Sequence, residues 1–182
     1  MAAALMRVIA GEFRSRRLKS IPGLETRPTP DRLRETLFNI LALRIEGATF
    51  LDAYAGTGAV GIEALSRGAR HAFFLERSRP AVETIRENLA SLQLAARATV
   101  VPGMVLLTLP HHRADIVFID PPYELEREYP AALDLLAEQR DPPQLTVVQH
   151  SVRLALADAY GKLRRSRVVK QGDNALSFYV EE

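Results

Sequence analysis

The length and composition of the chain set the first limits on its class. Its 182 residues fit one domain at about 150 residues per domain, and 47% hydrophobic with 25% charged residues is ordinary globular composition. The absence of cysteine excludes disulfide frameworks, thiolate metal sites and cysteine nucleophiles. Four histidines without ligand-like spacing argue against a metal site, and no apolar run approaches the roughly 18 residues of a membrane-spanning helix. The segment Met1-Ala-Ala-Ala-Leu5 is too short for the apolar region of a signal peptide, and arginines follow it within a few residues. We therefore expect a folded cytoplasmic protein without a metal.

Positive charge is concentrated near the two ends of the chain. The first 34 residues hold eight basic and three acidic side chains, and residues 162–172 hold five basic and no acidic ones. Of the 24 basic residues, 21 are arginine, the side chain that binds phosphate through paired hydrogen bonds. Basic ends around an acidic middle predict a polyanionic partner, although a solvated basic surface explains the same pattern.

The N-terminal part combines an arm with a helix. Residues 7–23 alternate weakly around a glycine, which predicts a short hairpin or an extended arm. Thr29 as a cap and Pro30 as the first helical residue predict a helix over residues 30–44. Its apolar residues recur at spacings of three and four: Leu33, Leu37, Ile40 and Leu41. They predict a buried face, with Arg32 on another side.

The rest of the chain alternates short apolar runs with helical stretches. Strands are predicted over residues 48–54, 71–76, 98–101, 115–120 and 145–150, and helices over 61–66, 80–92 and 130–139. This alternation predicts a parallel sheet with helical crossovers. Residues 162–170 and 176–180 flank a Gly-Asp-Asn turn, which predicts a C-terminal antiparallel hairpin. We expect an α/β domain over residues 47–182, preceded by a basic N-terminal extension over 1–46.

A glycine loop follows the first predicted strand. Gly56, Gly58 and Gly61 have the GxGxxG spacing between a strand and a helix, which is typical of sites for nucleotide-like ligands. Glu76, at the end of the next strand, is placed to accept hydrogen bonds from two ribose hydroxyls. Both features occur in dinucleotide enzymes and in enzymes that use S-adenosylmethionine. Asp52, four residues before the first glycine, places an anion beside the loop and favours a cationic ammonium or sulfonium over a pyrophosphate.

The segment Asp120-Pro121-Pro122-Tyr123 follows a strongly apolar strand. Ligand sites of open α/β sheets lie at that edge, and the two prolines fix the backbone in an extended form. The Asp120 carboxylate and the Pro121 carbonyl can accept hydrogen bonds from one exocyclic amine, and Tyr123 offers a ring on which a base can stack. The second Asp-Pro-Pro, at residues 141–143, lacks the aromatic residue and precedes a strand, so we interpret it as a loop.

These motifs together resemble the class I methyltransferases, and within them the RsmD-type 16S ribosomal RNA guanine-N2 methyltransferases. Four segments carry the closer resemblance: Arg7-Val-Ile-Ala-Gly-Glu-Phe-Arg14, residues 26–41, Gly61-Ile-Glu-Ala-Leu-Ser-Arg-Gly68, and Gly-Asp-x-x-Leu-x-x-Tyr from Gly172 to Tyr179. The resemblance implies a Rossmann-like sheet of seven mostly parallel strands and S-adenosylmethionine as methyl donor. It also implies transfer to the N2 amine of one guanine in ribosomal RNA. As the partner we expect ribosomal RNA within a small-subunit particle, and we expect the protein to be a monomer.

The resemblance also assigns individual residues. The donor site comprises Asp52, Tyr54, Gly56, Thr57, Gly58, Glu76, Arg77, Met104 and, on the N-terminal helix, Asn39. The amine site comprises Asp120, Pro121, Pro122 and Tyr123. The residues expected to bind the RNA backbone are Arg7, Arg14, Arg16, Arg17, Lys19, Arg27, Arg32 and Arg34. One departure is Met104, which stands where many relatives place an acidic or amide side chain against adenine.

Three other functions are compatible with parts of the sequence. Methylation of another planar amine, in a DNA base or a protein glutamine, would use the same motifs, although the arginine-rich arm argues against a protein substrate. A nicotinamide-dependent oxidoreductase would share the glycine loop but is disfavoured by Asp52 and by the Asp-Pro-Pro-Tyr segment. A non-catalytic RNA-binding module with a degenerate donor pocket is supported only by Met104.

Overall fold

The computed structural model describes residues 6–21 and 30–182 of the chain. In these residues the α-helices are α1 (Asp31–Leu41), α2 (Ala59–Ser66), α3 (Arg79–Ser91), α4 (Val105–Thr108) and α5 (Glu128–Ala137). The strands are β1 (Thr49–Ala53), β2 (His71–Glu76), β3 (Ala98–Pro102), β4 (Ile116–Ile119), β5 (Leu145–Ser151), β6 (Ala159–Tyr160), β7 (Leu163–Gln171) and β8 (Asn174–Glu181). None of the helices described is long and apolar enough to cross a membrane.

The strands form one sheet in the order β3-β2-β1-β4-β5-β8-β7-β6. Strands β1 to β5 are parallel to one another, whereas β8 pairs antiparallel with β5 and with β7, and β7 pairs antiparallel with β6. The predicted mostly parallel sheet with a C-terminal hairpin is confirmed. Between β1 and β4 the order of the strands reverses, which opens a crevice at their carboxyl ends, the usual ligand position in such sheets.

Over residues 6–21 and 30–182 the sheet has eight strands, so the expected count of seven is wrong. The additional strand is β6 (Ala159–Tyr160), which pairs with the start of β7 at the edge of the sheet. A two-residue strand is too short to show the alternation of apolar and polar residues by which strands are recognised in a sequence. The predicted hairpin is present, and Gly172, with φ of 60°, occupies its turn between Gln171 and Asn174.

Both faces of the parallel part of the sheet are covered. Phe50 packs in a core cluster with α1, α2 and α3, while the next residue, Leu51, packs in a second cluster with α5. Successive side chains of a strand point to opposite faces, so every residue of such a strand must be apolar or satisfied by hydrogen bonds. This double burial explains why the parallel strands could be identified in the sequence as continuous apolar runs.

Helix α1 is shorter than predicted and begins one residue later. It spans Asp31–Leu41, and Pro30 precedes it as the capping residue instead of forming its first turn. The predicted cap Thr29 lies outside the described residues. Leu33, Leu37 and Leu41 are buried as expected, and Ile40 is partly buried against the same cluster.

The N-terminal arm folds back on itself and lies against α2. Arg7 and Arg17 form an isolated antiparallel bridge, which confirms the predicted hairpin-like arm. The buried carboxylate of Glu63 in α2 accepts hydrogen bonds from the backbone N–H groups of Ile9, at 2.8 Å, and Ala10, at 3.0 Å. The arm therefore depends on the main sheet domain for its position.

Candidate active site

A cavity of about 670 Å³ lies at the carboxyl ends of β1, β2 and β4. It brings together segments that are far apart in the sequence, namely the glycine loop, the end of β2, the loop before α4 and the Asp-Pro-Pro-Tyr segment. The predicted site residues on its wall are Asp52, Tyr54, Gly56, Thr57, Glu76, Arg77, Met104, Asp120, Pro121, Pro122 and Tyr123. The predicted donor site and the predicted amine site thus share one cavity.

Two glycines of the loop have distinct structural roles. Gly58 has φ of 82°, in the left-handed region that favours glycine, and caps the N-terminus of α2. It does not itself line the cavity. A Cβ atom on Gly61 would lie 2.3 Å from the ring of Phe74 in β2, so only glycine allows α2 to pack this closely on the sheet. The spacing of these glycines therefore fixes the loop on the sheet, beneath the cavity.

Asp52 is a buried carboxylate at the base of the cavity. Its Oδ2 accepts a hydrogen bond from the backbone N–H of Gly61 at 2.9 Å. Burial raises the pKa of Asp52 well above its ordinary value, and the nearby charges of Asp120 and Glu76 raise it further, while the Gly61 hydrogen bond opposes the shift. Because three carboxylates share this region, a cation bound in the cavity would lower the pKa of Asp52 again.

Glu76 connects two loops that border the cavity. Its Oε2 accepts the backbone N–H of Gly56 at 2.9 Å, and its Oε1 accepts the backbone N–H of Ser78 at 2.8 Å. The carboxylate is therefore held in one orientation, and each oxygen retains a second acceptor position. The sequence indicated a ligand-binding role for Glu76 but not this second role in holding the glycine loop against the end of β2.

The Asp-Pro-Pro-Tyr motif begins directly after β4. Asp120 is the first residue beyond Ile116–Ile119, and it lines the cavity. Pro121 is buried, and its carbonyl oxygen accepts a long hydrogen bond of 3.4 Å from the hydroxyl of Tyr129 in α5. Burial raises the pKa of Tyr129, as does the charge of Asp120, so this hydroxyl remains a donor at neutral pH.

Tyr123 is the exposed aromatic residue of the motif. Its hydroxyl donates a hydrogen bond of 2.6 Å to Oδ1 of Asn174, the first residue of β8. The backbone N–H of Leu125 bonds the carbonyl oxygen of Pro122 at 2.9 Å and closes a turn after the motif. The Tyr123 side chain is thereby anchored at its tip, and with 39% exposure it still offers surface for stacking.

No signal in the sequence indicates the contact between Tyr54 and Glu128. The Tyr54 hydroxyl donates a short hydrogen bond to the Glu128 carboxylate at the start of α5. Burial is the largest cause of the raised pKa of Tyr54, and the bond to Glu128 adds to it. Both residues line the cavity. Glu128, one of several glutamates that follow Tyr123 in the sequence, thus fixes the loop after β1 to α5.

Of two further residues predicted for the donor site, Met104 lines the cavity and Asn39 does not. Asn39 is exposed on α1 and does not line the cavity, which corrects its assignment to the donor site. The apolar face of α1 packs in the core, where Phe38 contacts Phe50 of β1. Met104 lies on the cavity wall with 55% exposure, and its carbonyl oxygen accepts the N–H of Leu107 and Thr108 in the first turn of α4.

Most of the predicted RNA-binding residues are exposed. In the described part of the chain these are Arg7, Arg14, Arg16, Arg17, Lys19 and Arg32; Arg27 lies outside it. Arg34 does not belong with them, because its side chain is only 1% exposed and donates to the Arg7 carbonyl at 2.7 Å and to Asp31 at 3.1 Å. Burial lowers the pKa of Arg34, with Glu63 and Asp31 opposing the shift. Arg34 thus fixes the arm to α1.

The fold and the site together define a class of protein. A parallel sheet with the central order β3-β2-β1-β4-β5, a glycine loop between two carboxylates and an Asp-Pro-Pro-Tyr segment at the carboxyl edge is the arrangement of the methyltransferases. A family model described as "Conserved hypothetical protein 95" matches residues 6–180. The chain belongs to this family, which is the RsmD family of methyltransferases.

The relatives agree with this assignment. The protein YlbH of Bacillus subtilis (strain 168) is 35% identical over 182 residues, covering 96% of this chain and 98% of that protein. Ribosomal RNA small subunit methyltransferase D of Escherichia coli (strain K12) is 46% identical over 125 residues, covering 65% of this chain and 60% of that protein. The solved structure of yhhF from Escherichia coli superposes with a TM-score of 0.84 at 35% identity, covering 97% and 98% of the two chains.

A more distant structure has the same fold. The RNA methyltransferase from Salinibacter ruber, solved in complex with S-adenosyl-L-homocysteine, superposes with a TM-score of 0.66 at 16% identity. The match covers 85% of this chain and 94% of that one.

Proposed function

We propose that the protein transfers a methyl group from S-adenosylmethionine to the exocyclic N2 amine of a guanine in small-subunit ribosomal RNA. The observation that carries this proposal is the shared cavity. Asp52 and Glu76 border it on one side and the Asp120-Pro121 acceptors on the other. The family supports the chemistry, because the Escherichia coli relative is named as a methyltransferase of small-subunit ribosomal RNA.

The residues on one side of the cavity fit a cationic donor. Glu76 keeps acceptor positions for two ribose hydroxyls, and Gly56 and Thr57 bring the backbone of the loop to the same wall. Asp52 is buried with a raised pKa, so a positive ligand relieves an unfavourable negative charge there. Arg77 and Met104 complete this side. S-adenosylmethionine would supply an electrophilic methyl group on a sulfonium, which needs no further activation.

The other side of the cavity fits a planar amine. The Asp120 carboxylate and the Pro121 carbonyl accept hydrogen bonds from its two N–H groups and hold the nitrogen lone pair toward the methyl group. Positive charge grows on the nitrogen as the new N–C bond forms and the S–C bond breaks, and these acceptors stabilise that charge. Asp120 or a water molecule then takes the released proton. Tyr123 stacks on the base once it has left the RNA helix.

The N-terminal residues fit the RNA backbone. In the proposed division, residues 1–46 are an RNA-binding extension of the methyltransferase domain, 47–182. The arm that carries the exposed arginines is held against that domain by Glu63 and against α1 of the extension by Arg34. Each phosphate that they neutralise makes RNA affinity fall more steeply with salt, by about 0.7–0.9 in the slope of log affinity. We propose that a monomer acts on RNA within a small-subunit particle in the cytoplasm, without a metal.

The test is transfer of labelled methyl from S-adenosylmethionine to unmodified small-subunit particles and to their naked RNA, followed by nuclease digestion and identification of the nucleoside. The proposal predicts N2-methylguanosine at one site. Methylation of a different amine, such as one in a DNA base, would contradict the proposed substrate but not the proposed type of reaction. Measurable donor binding without transfer to any of these substrates would refute the proposed activity.

A further inference from the structure

A buried glutamine on β5 lies on the cavity wall without a hydrogen-bond partner for its amide oxygen. Gln149 is 4% exposed and lines the cavity, and its Oε1 is bonded to no group in the described residues. Buried amide oxygens are nearly always hydrogen-bonded, because leaving one without a donor costs free energy. A buried and unsatisfied amide at a ligand cavity indicates that the ligand supplies the partner.

The sheet places Gln149 beside Asp120. Ile119 of β4 pairs with Val148 of β5, so the next residues of the two parallel strands, Asp120 and Gln149, lie at the same level. Phe118 and Val147, two residues before them, pack in the same core cluster. Because alternate residues of a strand share a face, Asp120 and Gln149 lie on one face as neighbours.

A second buried group on the same strand provides a contrast. The hydroxyl of Thr146 is also buried and without a hydrogen-bond partner in the part of the chain that is described. Thr146 does not line the cavity, and strand alternation puts it on the other face from Gln149. An unsatisfied group in β5 is therefore not in itself a sign of a ligand, and the cavity distinguishes the two residues.

We propose that Gln149 recognises the Watson–Crick edge of the target guanine while Asp120 holds its amine. The inference rests on the proposed function and adds a specificity-determining residue to it. Next to its N2 amine, guanine presents the N1–H donor and then the O6 acceptor. A glutamine amide has one acceptor and one donor group side by side, so Oε1 accepts N1–H and Nε2 donates to O6.

Other bases with an exocyclic amine cannot satisfy both atoms of the amide. In adenine the amine is followed by a ring nitrogen acceptor and a C–H, and in cytosine by two acceptors. Either base, held by its amine at Asp120, leaves the Gln149 oxygen without a donor. A site built to bond a substrate N–H rejects analogues that lack it, because its own buried group is then unpaired.

The experiment compares guanine with 2-aminopurine at the target position of a synthetic fragment of the ribosomal RNA. 2-Aminopurine keeps the amine that accepts the methyl group but lacks both N1–H and O6. We expect the wild-type protein to prefer guanine by about tenfold or more in kcat/KM. Gln149→Met, which keeps the side-chain length without the amide, is expected to lose most of that preference by slowing transfer to guanine. Thr146→Val, the matched control, is expected to keep it.

Several results would overturn the assignment of Gln149. An equal rate of transfer to guanine and 2-aminopurine by the wild-type protein would do so without any variant. A guanine preference unchanged in Gln149→Met would also do so. Should Gln149→Met fail to fold, Gln149→Glu serves as the second variant, because it retains an acceptor for N1–H. It is expected to retain part of the preference for guanine over 2-aminopurine, and complete loss of that preference would overturn the inference. Absence of transfer from wild-type protein to either base refutes the proposed function instead.

Discussion

Glu63 supplies the most direct test of how the arm is held. Its carboxylate is fully buried and accepts hydrogen bonds from Ile9, Ala10 and the Nε of Arg67, the last at 2.8 Å. Hydrogen bonds to a charged group contribute about 1.5–3 kcal/mol each, but removal of one partner from a buried ion pair costs about 3–5 kcal/mol in total. We therefore expect Glu63→Ala to lower the free energy of unfolding by about 3–5 kcal/mol.

The assay is urea denaturation together with hydrogen exchange of the arm. Glu63→Gln keeps an acceptor oxygen without the charge, so we expect it to lose about half as much stability. Exchange at the Ile9 and Ala10 amides is expected to accelerate in both variants. Glu83→Gln is the matched control, since Glu83 pairs with Arg79 at 61% side-chain exposure, and exposed pairs contribute about 0–1 kcal/mol.

Binding measurements on the Glu63 variants distinguish an effect on the arm from an effect on the donor site. We expect Glu63→Gln to weaken binding of the RNA and to flatten its salt dependence, while affinity for S-adenosylmethionine stays near that of the wild-type protein. A Glu63→Ala variant within about 1 kcal/mol of the wild-type protein, on the scale of a single ordinary hydrogen bond, would refute the role of Glu63 as the anchor of the arm.

Further predictions concern Asp52, Gly61 and Thr146. The folded-state pKa of Asp52 lies above its unfolded value, so its contribution favours folding at low pH and is lost as pH rises through the folded-state pKa. In thermal melts, Asp52→Asn is therefore expected to stabilise the ligand-free protein at neutral pH but not at acidic pH. In calorimetry, the same variant is expected to bind the cationic donor more weakly. A destabilised variant with normal donor affinity would contradict this reasoning. Gly61→Ala would place a Cβ 2.3 Å from Phe74, and we expect a loss of about 1–3 kcal/mol by overpacking with weaker donor binding. Thr146→Val removes an unsatisfied buried hydroxyl, so urea titration is expected to show a gain of about 1 kcal/mol, and a loss would show that the hydroxyl has a partner.

The strands and the glycine loop could be predicted because their signals are local. Strands buried on both faces have continuous apolar sequences, and Asp52, Glu76 and Asp120 stand at or directly after strand ends, where ligands of such sheets bind. Arg34 shows the limit of this reasoning. It falls on the same helical face as Phe38 and Leu41, but a charged residue is by default assigned to solvent. One of its two partners, the Arg7 carbonyl, is 27 positions away in the chain.

The sequence wrongly places Asn39 in the donor site and does not indicate that Gln149 lines the cavity. Asn39 was assigned to the donor site from the approach of its helix, yet the rotation of a helix about its axis is set by packing that spacing alone does not determine. Gln149 had no motif around it, because its position beside Asp120 depends on the pairing of β4 with β5. The contact between Tyr54 and Glu128 is likewise a product of the tertiary fold, because the partners are 74 positions apart in the chain.

Asp120 provides the most direct test of the central claim that one cavity holds both a methyl donor and an acceptor amine. The measurement is the single-turnover rate of methyl transfer to small-subunit ribosomal RNA by Asp120→Ala, with the dissociation constant of S-adenosylmethionine measured on the same preparation. We predict a rate lower by about 10²–10³-fold and donor affinity close to that of the wild-type protein. Transfer at the wild-type rate would contradict the account.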